Sequence, residues 1–527
     1  MTVYSEGIPK TSRLIREFCP SRWVWGLLIL TFLASLVFSP AVLFLNSDEA
    51  AYIYFGQVLQ QGGVPYRDVW DHKPPVTFYL SALALMVFGE SHWAIWWLRA
   101  ITVFVTGLLF YRVLMDLNLS RRVAQCGAVA LVLLLCHPTW MEMHTPELYA
   151  LPFQLICLLT GYRMLRTSRY HWAWWAGMSA AAALLAKPTS VGVILVFIPS
   201  IGLTGRFSRV WQLRNYWIVA AAGASFVLLS LVLGMWSCGA LDEMFDALIT
   251  FNRYYVLDSA SLSSIISSLR FARVIKEMYM PLFFLAVFGI ISIRVAPDKT
   301  LSVWIALTCA ADFLLTNIAT RGYTHYYMTP LPAFLALAMM GLAAWEKYNW
   351  SPYLRKWSVR GVWGYVVALL FVPLAMNSFS TILDTGGNLF GPAKLFPATN
   401  YVKAHTSPGD TVLTWGTAND INFVSKRAAP SRYYYSHPLV TWGYADSKRI
   451  NDFVHDLETH QPVLIVDTTI NNVTWIPPLN PAFHPLWRKL GGKNDHVPDL
   501  SPIYTFVAEH CEIVIGIKKC MIYHCVY

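Results

Sequence analysis

From Trp23 to Leu45 the chain runs without a charged residue. At 1.5 Å per residue, a helix of that length crosses a hydrocarbon core of about 30 Å. Similar apolar stretches recur near residues 93–115, 123–137, 147–164, 172–186, 189–203, 216–234, 279–293, 300–319, 327–345 and 361–376. Within lipid a single segment satisfies its own backbone polar groups only as a helix. The pattern therefore predicts an α-helical polytopic membrane protein with about eleven transmembrane helices. The first stretch lacks the short apolar core and small-residue cleavage site of a signal peptide and is read as a retained span.

The charges set the orientation. Only 13% of residues are charged, against about 25% in soluble chains. The net charge of +10 does not indicate a nucleic-acid partner, because Lys and Arg sit in short clusters between apolar stretches, as the positive-inside rule places them. Arg13, Arg16 and Arg22; Arg121 and Arg122; Arg166 and Arg169; Arg206, Arg209 and Arg214; Arg294 and Lys299; and Lys347, Arg355, Lys356 and Arg360 all fall on one side on one condition. The segment "VTFYLSALALMVF" after Pro75 must not cross. Its 13 residues are short for a span, so it is expected as a helix on, or dipping into, the outer face. The resulting division is a cytoplasmic N-terminus (1–22), a transmembrane domain (23–376) with its first outer loop at 46–92, and an extracytoplasmic domain (377–527).

That last region is more polar. "NYVKAHTS", a turn at Pro408-Gly409-Asp410, the strand-like "TVLTWG", a helix expected at 445–459 and the strand-like "VLIVD" alternate as in a small α/β domain. "TWGTAND" is not a Gly-rich phosphate loop, so no nucleotide site is assigned. Cys126, Cys136, Cys157 and Cys309 lie in apolar stretches as small packing residues. Cys511, Cys520 and Cys525 lack zinc-ligand spacing and offer one disulfide if the tail is extracytoplasmic.

On this topology the ionisable residues gather at the outer side: Asp48 and Glu49; Asp71, His72 and Lys73; Glu142, His144 and Glu147; Lys187 in "LLAKPTS"; Arg321, His325, Tyr326 and Tyr327 in "RGYTHYYMTPLP". Each has an ordinary reading. Carboxylates are favoured in the first turn of a helix, lysines snorkel to headgroups, and a histidine at an interface is usually hydrogen-bonded. His144 and Glu147 have i, i+3 metal-ligand spacing, but the structural reading is preferred. Of the three Asn-X-Ser/Thr sequons only Asn472 lies on the outer side. Taken together, carboxylates and cations around one outer cavity suit transfer from a phosphate-linked lipid, with a base for the acceptor hydroxyl and cations for the departing phosphate. A monophosphate leaving group can be served by Lys and Arg, so no cofactor is required, although a divalent metal is not excluded.

A first span ending in Asp-Glu, a loop with surface helices, and "DHKPP" before a short apolar helix resemble the polyprenyl-phosphate-dependent membrane glycosyltransferases. These are the group related to protein O-mannosyltransferases and to lipid A aminoarabinose and galacturonic acid transferases. The resemblance spans roughly 20–345. It implies a C-superfamily glycosyltransferase fold, Asp48 as the catalytic residue with Glu49 beside it, and Lys73 as a contact to the lipid phosphate. Lys187, Arg321, His325 and Tyr326 are the further donor-phosphate candidates, with Asp71, His72 and Glu147 as additional members. The resemblance also implies a polyprenyl-phosphate sugar donor, an unnamed hydroxyl acceptor and a bacterial inner membrane. A lipid-linked glycan polymerase or ligase would carry more outer arginines. A flippase would show paired halves with matching broken helices, whereas the motifs here are asymmetric.

Overall fold

The computed structural model describes residues 22–318, 323–347 and 388–527, apart from 44, 46, 141, 143, 206–210, 260–274, 471–474, 493–497 and 519, with scattered helical positions between 360 and 383. Six helices among them are long and apolar enough to cross a membrane: His92–Asp116, Arg121–Trp140, Pro146–Thr167, Arg214–Ser237, Glu277–Val295 and Lys299–Asn317. They coincide with six of the predicted stretches, and the protein is an integral membrane protein.

The remaining stretches differ for local reasons. The first helix ends at Ser35 and tightens into a 3-10 turn at Leu36–Phe38, because Pro40 cannot continue it. Tyr170–Ala186 and Leu331–Lys347 are helices of 17 residues. The 189–203 stretch is not one helix but a turn at Pro188–Ser190 followed by Gly192–Leu195 and Phe197–Leu203. Its break is satisfied from the side. Asp312 accepts from the Gly192 N–H at 3.1 Å and from Gln154 Nε2 at 3.2 Å, and Gln154 also donates to the Ser190 carbonyl at 3.0 Å. Irregular backbone at membrane depth survives only with such partners. Most of the 361–376 stretch, and Asn472, lie outside the described residues.

Helix pairs close on small residues, the usual interface in lipid. A Cβ on Gly289 would meet the Leu337 carbonyl oxygen at 1.9 Å, and one on Gly341 the Leu285 oxygen at 1.9 Å, so the Met280–Ser292 and Leu331–Lys347 helices approach at glycine.

The segments between the first helix and His92 form the next layer. Ser47–Gln60 is a 14-residue helix with Asp48 and Glu49 in its first turn. Val76–Phe88, the 13-residue apolar segment, packs against it. Phe55 and Phe78 stack between the two at 3.8 Å.

The C-terminal domain contains a four-stranded sheet ordered β1-β2-β4-β3: β1 Val412–Trp415, β2 Leu464–Asp467, β3 Cys511–Ile517 and β4 Cys520–Cys525. β1 and β2 pair in parallel, Val412 opposite Leu464, and both are fully buried, as expected of parallel strands covered on both faces. β4 joins antiparallel to β2, and β3 to β4. The expected helix appears at Ser447–His460. The sequence did not reveal β3 and β4. Cys511 and Cys525, opposite each other across these strands, form the disulfide.

This domain shares a hydrophobic core with the first loop: Phe55, Trp70 and Phe78 cluster with Trp415, Tyr434, Phe453 and Tyr523. Polar contacts fix the docking. Tyr434 donates to the Ala51 carbonyl at 3.0 Å, the Ala429 N–H donates to Tyr54 at 2.8 Å, and the Trp70 N–H donates to the Arg432 carbonyl at 3.0 Å. His92 and Asp420 meet at 2.6 Å, and Arg449 and Asp246 at 2.7 Å.

Candidate active site

The loop that ends in Pro74-Pro75 is held by its own polar groups. Tyr66 donates to the Lys73 carbonyl at 3.0 Å, the Lys73 N–H donates to Asp71 Oδ1 at 3.0 Å, and Asn252 Nδ2 holds the His72 carbonyl at 2.8 Å. The outcome is that Lys73 reaches back over the first turn of the Ser47–Gln60 helix. Its Nζ lies 3.2 Å from Asp48 Oδ2 and 4.7 Å from the centre of the Tyr52 ring. Tyr52, one turn after Asp48, donates to the same oxygen at 3.2 Å. Asp48 keeps 44% of its side chain exposed, Lys73 only 15%.

The neighbouring carboxylates are placed differently. Glu49 is buried and accepts from the His144 N–H at 2.7 Å. Asp71 is buried, with His72 Nδ1 3.5 Å from its Oδ1. Both ring nitrogens of His144 are occupied, by the Tyr149 hydroxyl at 2.6 Å and Ser81 Oγ at 2.8 Å. His144 thus ties three helices together instead of joining Glu147 at a cation. Among the described residues no group of three His, Cys, Asp or Glu side chains is arranged to hold a metal.

A second lysine pair comes from later in the chain. Lys187, at the break after the Tyr170–Ala186 helix, lies 2.6 Å from Glu147 Oε1 and 4.1 Å from the Tyr326 ring centre. Glu147 is wholly buried at the start of the Pro146–Thr167 helix. His325 sits in the Thr324–Met328 turn with Nδ1 2.7 Å from Glu142. Arg321 lies outside the described residues.

The charges couple these groups. Burial alone would raise the Asp48 carboxyl, but Lys73, His325 and the Tyr52 hydroxyl outweigh it and hold Asp48 below the ordinary carboxylate range. Burial pushes Asp71 up to about 6, with the Asp48 charge adding to the shift and Lys73 opposing it. Burial disfavours the His325 cation, yet Glu142 and Glu147 raise its affinity for a proton above the usual value. Lys73 is firmly protonated, since Asp48 and Asp71 outweigh its burial. The result is an ionised, reachable carboxylate beside a protonated lysine, which is the equipment for proton removal next to an anionic leaving group.

Sequence reasoning missed Tyr52 and Arg99. Arg99 is buried within the His92–Asp116 helix and donates to the Leu135 carbonyl at 2.7 Å and the Glu142 carbonyl at 3.2 Å. It thereby fixes the segment that carries Glu142 and His144. An arginine inside an apolar stretch is itself a signal.

Residues 72–236 match the family model described as dolichyl-phosphate-mannose-protein mannosyltransferase. No curated protein sequence gives a significant match. Among solved structures, ArnT from Cupriavidus metallidurans bound to undecaprenyl phosphate is similar over 98% of this chain and 98% of its own, with a TM-score of 0.55 at 12% identity. Its apo state is similar over 97% and 98%, with a TM-score of 0.52 at 13% identity. At that identity the likeness is one of fold. The family match over residues 72–236 supports the polyprenyl-phosphate-dependent glycosyltransferase group that the Asp-His-Lys-Pro-Pro loop resembles, and the whole-chain likeness shows a shared fold.

Proposed function

We propose that the chain is an inverting glycosyltransferase. It moves a sugar from a polyprenyl-phosphate donor to a hydroxyl acceptor at the outer face of a bacterial inner membrane. The observation that carries this reading is the pairing of a reachable carboxylate, Asp48, with a lysine poised at the end of the Asp-His-Lys-Pro-Pro loop. The fold match to a protein solved with undecaprenyl phosphate supports the donor class. The basic clusters between spans and the Cys511–Cys525 disulfide support an outward-facing domain.

In this mechanism the donor phosphate takes Lys73 from Asp48 and also meets Lys187. The acceptor oxygen attacks the anomeric carbon as the bond to the phosphate oxygen breaks. Asp48 receives the hydroxyl proton, and the polyprenyl phosphate leaves as an anion stabilised by the two lysines. Glu49 and Glu147 act as positioning groups, the first through His144 and the second by neutralising Lys187 in the resting site. Asp71 and His72 set the backbone and surroundings of Lys73, and His325 and Tyr326 flank Lys187.

The test is transfer by the purified chain from undecaprenyl-phosphate-linked hexoses or pentoses to glycolipid acceptors of the same membrane. The expected product has inverted anomeric configuration, and nucleotide sugars give none. Transfer from a nucleotide sugar, or retention of configuration, would overturn the proposal.

A further inference from the structure

Between the first outer loop and the C-terminal domain stands a wall of rings that the steps above do not use for chemistry. The His72 ring lies 5.2 Å from Tyr255 and 6.2 Å from His437, and Tyr255 and His437 are 5.8 Å apart. All three are partly exposed. Behind them Phe251, 4.9 Å from His72, and Trp70 are fully buried, and the Tyr435 hydroxyl lies 3.4 Å from His72 Nδ1. The partly exposed rings therefore rest on a packed, buried base. The wall adjoins the reacting groups: the Tyr255 hydroxyl acts electrostatically on Lys73 and Tyr326, and Asp48 acts on Tyr435.

Among the described residues, the carboxylates and rings that contact the two lysines, Asp48, Tyr52, Glu147 and Tyr326, come from the helical region and its loops. The wall adds a side chain of the C-terminal domain, His437. An inverting displacement needs the attacking oxygen on the face of the sugar opposite its leaving group. The base must stand beside that oxygen, and Tyr435, which touches His72, lies within the electrostatic reach of Asp48. Ring faces pack against the C–H faces of a pyranose, while imidazole and phenol groups bond its hydroxyls. We infer that His72, Tyr255 and His437 form the subsite for the acceptor's saccharide, so the acceptor is a glycan or glycolipid that the C-terminal domain helps to select. The inference rests on the transferase reading.

The experiment uses the full chain in nanodiscs and three titrations: methyl glycosides of glucose, galactose, mannose and N-acetylglucosamine followed by saturation-transfer NMR, undecaprenyl phosphate, and undecaprenyl phosphoglucose. Wild type is expected to bind at least one glycoside. Tyr255→Ala and His437→Ala should weaken it by about tenfold, the effect of losing roughly one contact worth 1.4 kcal/mol, while Tyr255→Phe keeps the stack and most of the affinity. Both undecaprenyl ligands should bind all variants as they bind wild type, which also reports folding. If His437→Ala loses them, His437→Gln decides. Absent glycoside binding in wild type, or glycoside affinity untouched by the alanine variants, overturns the subsite. A parallel loss of undecaprenyl phosphoglucose affinity assigns the wall to the donor sugar and overturns it too. Wild type that binds glycosides but no undecaprenyl phosphate contradicts the transferase reading and leaves the saccharide site supported.

Discussion

The two lysines of the site are built alike and exposed differently. Each lies over a tyrosine ring and pairs with one carboxylate: Lys73 with Tyr52 and Asp48, Lys187 with Tyr326 and Glu147. Asp48 is nearly half exposed, whereas Glu147 is fully buried. A reachable carboxylate can exchange its lysine for a substrate and take a proton. A buried one can only hold a charge in place. The same three kinds of group, a lysine, a tyrosine ring and a carboxylate, thus provide a reacting pair and a fixed counter-charge, and accessibility separates them.

If that division is right, breaking the two pairs should produce different failures. Glu147→Ala leaves Lys187 as an uncompensated charge, and loss of one buried partner costs about 3–5 kcal/mol. A large fall in thermal stability in nanodiscs is therefore expected, with Asp48→Asn close to wild type. Equal losses would erase the distinction.

Lys73→Ala should act on the ligand instead of the fold. A charge-assisted hydrogen bond is worth about 1.5–3 kcal/mol, or roughly ten- to a hundredfold in undecaprenyl phosphate affinity. Lys73→Arg should rescue only partly, because a planar fork does not replace a point charge. Wild-type affinity in Lys73→Ala would restore the snorkelling reading.

Asp71 sharpens the comparison through pH. Its folded pKa, about 6, exceeds the ordinary 3.8, so the folded state holds the proton more tightly. This contribution to stability is present below about pH 4 and lost as pH rises through 6. The difference of about two units corresponds to about 3 kcal/mol at 1.36 kcal/mol per unit. Asp71→Asn keeps an acceptor for the Lys73 N–H and should flatten the fall in melting temperature between pH 4 and pH 7 relative to wild type. Identical profiles would contradict a buried, titrating Asp71.

The smallest effect is expected at Tyr52→Phe, which removes one hydrogen bond to Asp48, worth about 0.5–1.5 kcal/mol. The carboxyl then protonates at higher pH, so the acid limb of the turnover profile should move upward by a unit or less. A shift in the opposite direction would place the hydroxyl elsewhere in the reaction.

Much of this was legible in the sequence. Uncharged length located the membrane helices, and the 13 residues between Pro75 and Gly89 form the short helix their length implied. Asp48, Lys73, Lys187 and His325 stood out because charges beside apolar stretches are costly. Their sorting into pairs was not legible, since it depends on contacts between residues far apart in the chain. The breaks within 189–203, expected as one helix, were not legible either, because the partner of Gly192, Asp312, lies 120 residues beyond it. The docking of Tyr434 on Ala51 joins positions 383 residues apart, and no local pattern announces it. β3 and β4 escaped because β3 alternates weakly and lies largely exposed.

The most direct test of the division between the two pairs is one preparation of Asp48→Asn assayed twice, for turnover with an undecaprenyl-phosphate-linked sugar and for undecaprenyl phosphate affinity. Loss of the base should lower turnover by about 10²–10⁴-fold. Affinity should be unchanged or tighter, because Lys73 no longer has a carboxylate to leave. Near-normal turnover, or turnover and affinity falling together, would contradict Asp48 as the base and Lys73 as its exchangeable partner.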